Sequence, residues 1–185
     1  LTGIFRAQSG SPWGPEVSGD INGDGVRFND RPFVFAADSL PVDPGNRTGA
    51  EATAFAAEQR ERYQGYLDQF ECIGDFVGQI IPRNTCRQPW FNRMDLSLRK
   101  RFNTFGTQGA ELQVDLFNVL NGLNRDWGQY RGISGANRNL LQVSRYDAAT
   151  DQILYTVPAN LGRKNQIGSN LLLQFSAQLG FRYFF

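Results

Sequence analysis

The last fifteen residues, 171–185, constrain the fold of this chain more than any other stretch. Every odd-numbered position from 171 to 185 is apolar or aromatic, whereas most even-numbered positions, such as Gln174 and Arg182, are polar or small. Alternation with a period of two predicts a β-strand with one apolar and one polar face. Soluble strands usually have about five or six residues, but a strand that crosses a bilayer needs roughly 9–11. The stretch therefore predicts a strand that crosses a membrane.

The composition agrees with this prediction and excludes several kinds of site. Among the 185 residues, 19 basic and 18 acidic side chains leave a formal net charge of +1, so the sequence does not predict nucleic-acid binding. The chain contains no histidine, which removes His-based catalytic triads and His–metal sites. Its mean hydropathy is negative and its apolar runs are short, which argues against membrane helices but not against amphipathic strands.

Three further stretches, near residues 1–9, 91–102 and 110–119, predict long strands, because apolar and polar residues alternate there as well, apart from Ile4, Lys100 and a break that begins at Phe117. Between the strands lie two long polar regions, 10–88 and 121–168, and one short turn. Residues 48–70 predict a helix in the first region, with capping-box spacing at Thr48 and Glu51. The predicted fold is all-β: an antiparallel transmembrane β-barrel fragment with about four long strands and long extracellular loops, one of which contains a helix.

The order of loops and turns predicts how the strands run. Short turns of outer-membrane barrels face the periplasm and long loops face outward, so the fourth strand returns to the periplasm. Four strands cannot close a barrel, since single-chain bacterial barrels begin at eight. We therefore expect this chain to be the C-terminal part of a larger protein, located in a bacterial outer membrane. The polar strand face is then expected to line the lumen, and its candidate lumen-facing residues are Arg93, Asp95, Arg99, Arg101 and Asp115.

The two cysteines, Cys72 and Cys86, lie in the first long region. In an exported protein their spacing predicts a disulfide that stabilises the loop by about 3 kcal/mol. The alternative is a pair of free thiols in a reducing compartment.

Residues 20–25, D-I-N-G-D-G, match the opening of a calcium-binding loop. Asp20, Asn22 and Asp24 would supply oxygens, but Arg31 occupies the position where a bidentate glutamate is expected. Asp30, one residue earlier, is the candidate substitute. The alternative is an Asp/Asn/Gly-rich turn whose side chains bond to their own backbone. Calcium is the only cofactor that the sequence suggests.

The carboxylates of Asp95, Asp115 and Glu111 resemble an acid–base set only superficially. Arginines alternate with them on neighbouring strands, so we expect ion pairs facing the lumen and no enzymatic activity.

Several motifs resemble those of TonB-dependent outer-membrane receptors. They are R-Q-P-W-F-N-R-M-D-L-S-L-R-K-R-F at 87–102, E-L-Q-V-D-L-F-N-V-L-N at 111–121 and the aromatic C-terminus. The subgroup with a carboxypeptidase-regulatory-like N-terminal domain is similar also at Ser9–Trp13, at D-I-N-G-D-G and at N-D-R-P, residues 29–32. In this family the alternating C-terminal residues are the signal that the barrel-assembly machinery reads; here they are Leu179, Phe181, Tyr183 and Phe185.

The resemblance implies energy-coupled uptake of a nutrient ligand. Its implied partners are outer-membrane lipid, an N-terminal plug of the same parent chain, an inner-membrane energy-coupling complex and the barrel-assembly machinery. The sequence leaves the ligand open. Two alternatives also stay open: a secreted, β-rich, calcium-stabilised binding or adhesion domain, and a passive porin.

Overall fold

A computed structural model describes residues 1–133, 135–164 and 174–185. The described residues form two compact units. The first, which we call the sheet unit, comprises residues 1–10, 89–131 and 174–185. The second, the loop unit, comprises residues 11–88, 132–133 and 135–164.

The described residues contain nine strands and three α-helices, numbered along the chain. The strands are β1 (Thr2–Gln8), β2 (Pro12–Trp13), β3 (Glu16–Ser18), β4 (Cys86–Arg87), β5 (Phe91–Asn103), β6 (Gly109–Phe117), β7 (Asn139–Asp147), β8 (Gln152–Thr156) and β9 (Ser176–Phe184). The helices are α1 (Gly49–Gln69), α2 (Glu71–Gly74) and α3 (Val119–Leu123). None of the helices described is both long and apolar enough to cross a membrane.

The sheet unit is built on four antiparallel strands in the order β1–β5–β6–β9. Residues that pair across neighbouring strands share a face, so the register sorts the side chains into two sets. One row, Leu98–Val114–Leu179, crosses three strands on the apolar face, and the next row, Ser97–Asp115–Gln178, crosses them on the polar face. The alternating sequence thus becomes a sheet with two chemically different faces.

The strand boundaries differ from the prediction by more than one residue in two places. β9 begins at Ser176, so Gln174 and Phe175 precede the strand, and residues 171–173 of the predicted strand lie outside the described residues. β6 ends at Phe117 rather than at residue 119, because Asn118 adopts a left-handed backbone conformation with φ of 52°.

A set of hydrogen bonds holds this strand end in place. The Asn118 backbone N–H donates to Asp95 Oδ1 at 2.7 Å, and its Nδ2 donates to the Gly128 carbonyl at 2.9 Å. A Cβ added at Gly128 would lie 2.0 Å from Asn118 Oδ1, so this close approach requires glycine. Asn118 is fully buried, and we infer that it terminates the strand through these contacts.

The loop unit contains the hydrophobic core of the described residues. The core draws on both long inter-strand regions: Tyr63, Tyr66 and Leu67 come from the first, and Leu140 and Tyr155 from the second. Strands join the two regions as well, because β3 of the first pairs in parallel with β7 of the second. The two long loops predicted from the sequence thus fold together as one compact unit, because residues of both contribute to the same core.

Helix α1 presents one side to this core. It begins and ends close to the predicted 48–70, and Tyr63 is completely buried. The Tyr63 hydroxyl accepts a hydrogen bond from the Phe35 backbone N–H at 3.1 Å. The predicted capping box is not formed, because the Thr48 side chain makes no capping hydrogen bond.

The predicted disulfide between Cys72 and Cys86 is confirmed, with a Cα–Cα distance of 5.5 Å. It connects α2 to β4, and β4 pairs with β2 through Trp13 and Cys86. The bond thus joins the end of the helical segment to the strand that leads out of the loop unit.

Replacing both cysteines, Cys72→Ser with Cys86→Ser, is expected to lower the stability of the loop unit by about 3 kcal/mol, because the reduced chain gains loop entropy when it unfolds. Urea titration followed by protease sensitivity of α1 measures this change. Treating the native protein with a reductant should shift the transition equally. An unchanged urea midpoint in both experiments would contradict the prediction.

Candidate functional site

The polar face of the sheet unit carries a continuous hydrogen-bond and ion-pair network. Ser97 Oγ donates to Asp115 Oδ1 at 2.6 Å across the β5–β6 pair, and Gln113 Nε2 donates to Asp115 Oδ2 at 2.7 Å. Arg99 Nη2 reaches the side-chain oxygen of Gln113 at 3.0 Å. Neighbouring rows of the sheet are therefore linked through their side chains.

Glu111 is the centre of the cationic part of this network. Its carboxylate accepts a hydrogen bond from Arg101 Nε at 2.6 Å and lies 3.6 Å from Arg99 Nε. The register places Arg182 directly opposite Glu111 on β9, so an Arg–Glu–Arg row crosses three strands. The Glu111 side chain is only 6% exposed, whereas that of Arg101 is 71% exposed. The carboxylate is covered by its partners, and the arginines remain accessible.

All five predicted lumen-facing residues lie on this one face, together with Glu111. Asp95 pairs with Arg93 at 2.9 Å. Asp115 differs from expectation, because among the described residues it makes hydrogen bonds to Ser97 and Gln113 rather than an ion pair. The register explains this difference, since it places Ser97 and Gln178, both uncharged, opposite Asp115.

Two arginines of the polar face were not among the predicted residues. In the strand register Arg6 lies opposite Arg93, and Arg182 lies opposite Glu111. Both occupy even-numbered positions of their strands, opposite the apolar set, so the alternation in the sequence was the signal that could have identified them.

The opposite face is apolar and open to its surroundings. Phe5 is 63% exposed, and Leu179 and Phe181 are both 72% exposed. An exposed apolar face that extends over four strands suits contact with lipid tails and is unusual on a water-soluble protein. Three of the proposed assembly-signal residues, Leu179, Phe181 and Tyr183, lie on this face, and Phe185 directly follows β9.

The predicted calcium ligands form a turn that is closed by its own side chains. Asp20 accepts backbone N–H groups from Gly23, Asp24 and Gly25, with its shortest contact at 2.7 Å. Asp24 accepts the backbone N–H of Val26 at 2.8 Å, which holds the pKa of this carboxyl below its ordinary value. Asp30 Oδ2 accepts the Ile21 N–H at 2.7 Å. No cluster of three or more acidic, His or Cys side chains suited to a metal occurs within the described residues, and calcium binding stays a prediction.

Asp43 joins the two long regions within the loop unit. It is only 6% exposed and accepts hydrogen bonds from Ser144 Oγ at 2.6 Å, from Arg145 Nε at 3.1 Å and from the Gly45 N–H at 2.9 Å. Burial by itself would raise the pKa of Asp43, but these donors and the Arg145 charge outweigh it, so the pKa is lowered. The ionised carboxylate is thus the form that stabilises the fold.

Asp43→Asn is expected to destabilise the loop unit at pH 7 by about 1–3 kcal/mol, because an amide retains only one acceptor oxygen for several donors. Since the folded-state pKa is lowered, the stabilisation is present above the ordinary carboxyl pKa and is lost as the pH falls through the folded value. Urea midpoints measured from pH 7 down to pH 3 should therefore converge for wild type and variant. The exposed residue Asp38, changed to Asn, serves as the control. An Asp43→Asn deficit that does not shrink in acid would contradict the assignment.

Two further contacts join the regions through buried amides. Gln59 Oε1 accepts the Val157 N–H at 2.7 Å. The Gln88 side chain pairs with both backbone groups of Ile133, at 2.8 and 3.1 Å. These residues were not predicted, because in a sequence a glutamine that bonds to the backbone looks the same as a surface glutamine.

A family model described as "Outer membrane beta barrel domain" matches residues 1–128. Comparisons with curated proteins and with solved structures found no match. The family match covers more than half of the chain and confirms the predicted antiparallel β-barrel fold and the outer-membrane location. The two-faced sheet and the matched family together show that this chain belongs to the outer membrane beta barrel domain family.

Proposed function

We propose that the chain is the C-terminal barrel segment of a TonB-dependent receptor that takes up a nutrient ligand by energy coupling. One observation carries this proposal: the two long insertions of an amphipathic membrane sheet form a folded unit with its own core. A barrel that serves only as an open pore does not need a folded unit of this kind. A receptor needs a structured surface that captures a ligand before transport.

The strand register supports an orientation for the segment. Gln8 lies beside Phe91, and Phe117 beside Ser176, so both long insertions leave from the same end of the sheet. The short 104–108 turn and the β9 terminus lie at the other end, where Gly109 pairs with Phe184. With the short turn in the periplasm, the loop unit is extracellular and the C-terminus is periplasmic.

The charge of the polar face supports contact with a plug. Among the described residues this face carries a surplus of two positive charges, because five arginines stand against three carboxylates. Wet, exposed arginines such as Arg101 can form charge-assisted hydrogen bonds with carboxylates. We propose that the acidic side chains of an N-terminal plug in the same parent chain meet this face.

The C-terminal strand supports a role in assembly. Leu179, Phe181 and Tyr183 form one apolar row that ends at Phe185, and we propose that the barrel-assembly machinery binds this row. We assign no enzymatic reaction to the chain. The carboxylates Asp95, Glu111 and Asp115 are each engaged by an arginine or by neutral donors, which suits a structural role.

The test uses the full-length parent protein in its native membrane. A strain lacking the gene should lose growth on one class of scarce nutrient among iron–siderophore, cobalamin, glycan and peptide sources. Uptake of that nutrient in the wild type should stop when a protonophore collapses the inner-membrane gradient. In planar bilayers the purified parent protein should show no steady open conductance, because a plug closes the lumen. A large constitutive conductance, together with uptake that resists the protonophore, would overturn the proposal in favour of a passive pore.

A further inference from the structure

The loop unit contains an elongated groove of about 670 Å³ along helix α1. One side of the helix lines it, through Ala57, Arg60, Glu61, Gln64 and Asp68. These positions follow the three- and four-residue spacing of a single helical face. At 1.5 Å per residue, the stretch from Ala57 to Asp68 is about 16 Å long. The volume lies within the range of ligand pockets, which is about 300–1,000 Å³.

The groove is also lined by small or apolar residues. These are Ala36, Ala37, Val77 and the nearly buried Leu67, and together we call them the floor. Val77 is itself 43% exposed, so the groove offers apolar surface to a ligand.

The rim of the groove is negatively charged. Asp38, Glu61 and Asp68 are all exposed there, and none of them forms an ion pair within the described residues. One oxygen of Asp68 accepts from Gln64 Nε2 at 2.7 Å, which leaves its second oxygen for a ligand. The single cation of the groove, Arg60, directs Nη2 to the Leu40 carbonyl at 3.3 Å. The rim therefore attracts positive charge, and it is too spread out to form a metal cluster within the part of the chain that is described.

We propose that this groove binds a short, extended peptide that carries apolar and basic side chains. A strand-like peptide rises about 3.3 Å per residue, so about five residues span the 16 Å of helix that line the groove. Apolar side chains of the peptide cover the floor, and its lysines or arginines meet the carboxylates of the rim. The inference rests on the proposed receptor function and names the class of ligand for its loop unit.

The experiment measures binding to the purified full-length protein in detergent by calorimetry. The probe is the capped peptide Lys-Leu-Ala-Leu-Lys, and the comparison peptides are Glu-Leu-Ala-Leu-Glu and Lys-Gly-Gly-Gly-Lys. The first should bind at least tenfold more tightly than either comparison peptide, because only it matches both the rim and the floor. Its affinity should also fall between 50 and 500 mM salt, since exposed ion pairs are screened.

Variants locate the site. Glu61→Gln and Asp68→Asn should each weaken binding by up to about fivefold, the usual range for one exposed ion pair. Ala57→Trp should fill the groove and reduce binding at least tenfold, while protease resistance shows that the loop unit remains folded. Glu58→Gln is the matched control, because Glu58 is an exposed glutamate of the same helix that pairs with Arg62 outside the groove. Unchanged affinity in Glu61→Gln and Ala57→Trp, or equal binding of the acidic peptide, would overturn the proposal.

The outcome is separable from that of the transport experiment. Peptide binding that is sensitive to Ala57→Trp, in a protein without energy-coupled uptake, would preserve the groove assignment and overturn the receptor function. Energy-coupled uptake of another nutrient, with no peptide binding, would preserve the receptor and overturn the assignment of its ligand.

Discussion

Val114→Arg is expected to reduce assembly of the barrel severalfold. Val114 lies on the apolar face of β6, an inner strand of the sheet, with Leu98 and Leu179 paired on either side. An arginine on the lipid face near the bilayer midplane costs about 2–4 kcal/mol. The guanidinium would have to displace lipid from a row that otherwise presents only aliphatic side chains. The amount of folded protein in the outer membrane, read as the heat-modifiable band on a gel, should fall severalfold.

The control uses the same new residue on the other face. Gln178→Arg places an arginine opposite Asp115, where a polar environment and a carboxylate accommodate it. This variant should assemble at the wild-type level, since substitutions on the lumen face affect selectivity more than insertion. Equal loss in the two variants, or a larger loss in Gln178→Arg, would contradict this assignment of the faces.

Leu140→Ala is expected to destabilise the loop unit by about 2–5 kcal/mol, the usual cost of truncating a buried leucine. Leu140 belongs to the second long region and is completely buried in the core that it shares with α1 of the first region. The decisive measurement is made on the other region: protease cleavage within α1 should accelerate, although α1 lies far from residue 140 in sequence.

Gln142→Ala on the same strand is the control, because this side chain is exposed. It should change the free energy of unfolding of the loop unit by no more than about 0.5 kcal/mol, as for most surface substitutions. Protease cleavage within α1 should therefore keep nearly its wild-type rate. If Leu140→Ala opened only the β7–β8 hairpin and left α1 resistant, the two regions would be independent loops rather than one folded unit.

The sheet could be predicted from the sequence because the two-residue alternation along each strand determines which face a side chain occupies. The alternation around Leu96, Leu98 and Val114 requires one lipid-compatible face, and a shift of one residue would reverse every side chain. The register in the structure follows this requirement along most of the four strands; Ile4, on the polar face of β1, and Lys100, on the apolar face of β5, are among the departures. The disulfide was predictable as well, since it depends on two residues in an exported chain.

The loop unit was much less predictable. Gln59, Gln88 and Asp43 hold it together by bonds to residues 45 or more positions away. Strands of only two or three residues, such as β2 and β3, are too short to show the alternation of apolar and polar residues. The groove along α1 also depends on the 36–38 turn and Gly74, which folding brings beside the helix.

The sequence by itself therefore determined the membrane strands, their order and their two faces, because a bilayer enforces a strict local alternation. Only the tertiary structure decided that residues 11–88 share one core with the second long region and that α1 faces a groove. The physical reason is the range of the interactions. Amphipathic strands are specified by neighbours two residues apart, whereas a core assembled from two distant regions is specified by contacts that exist only after both have folded.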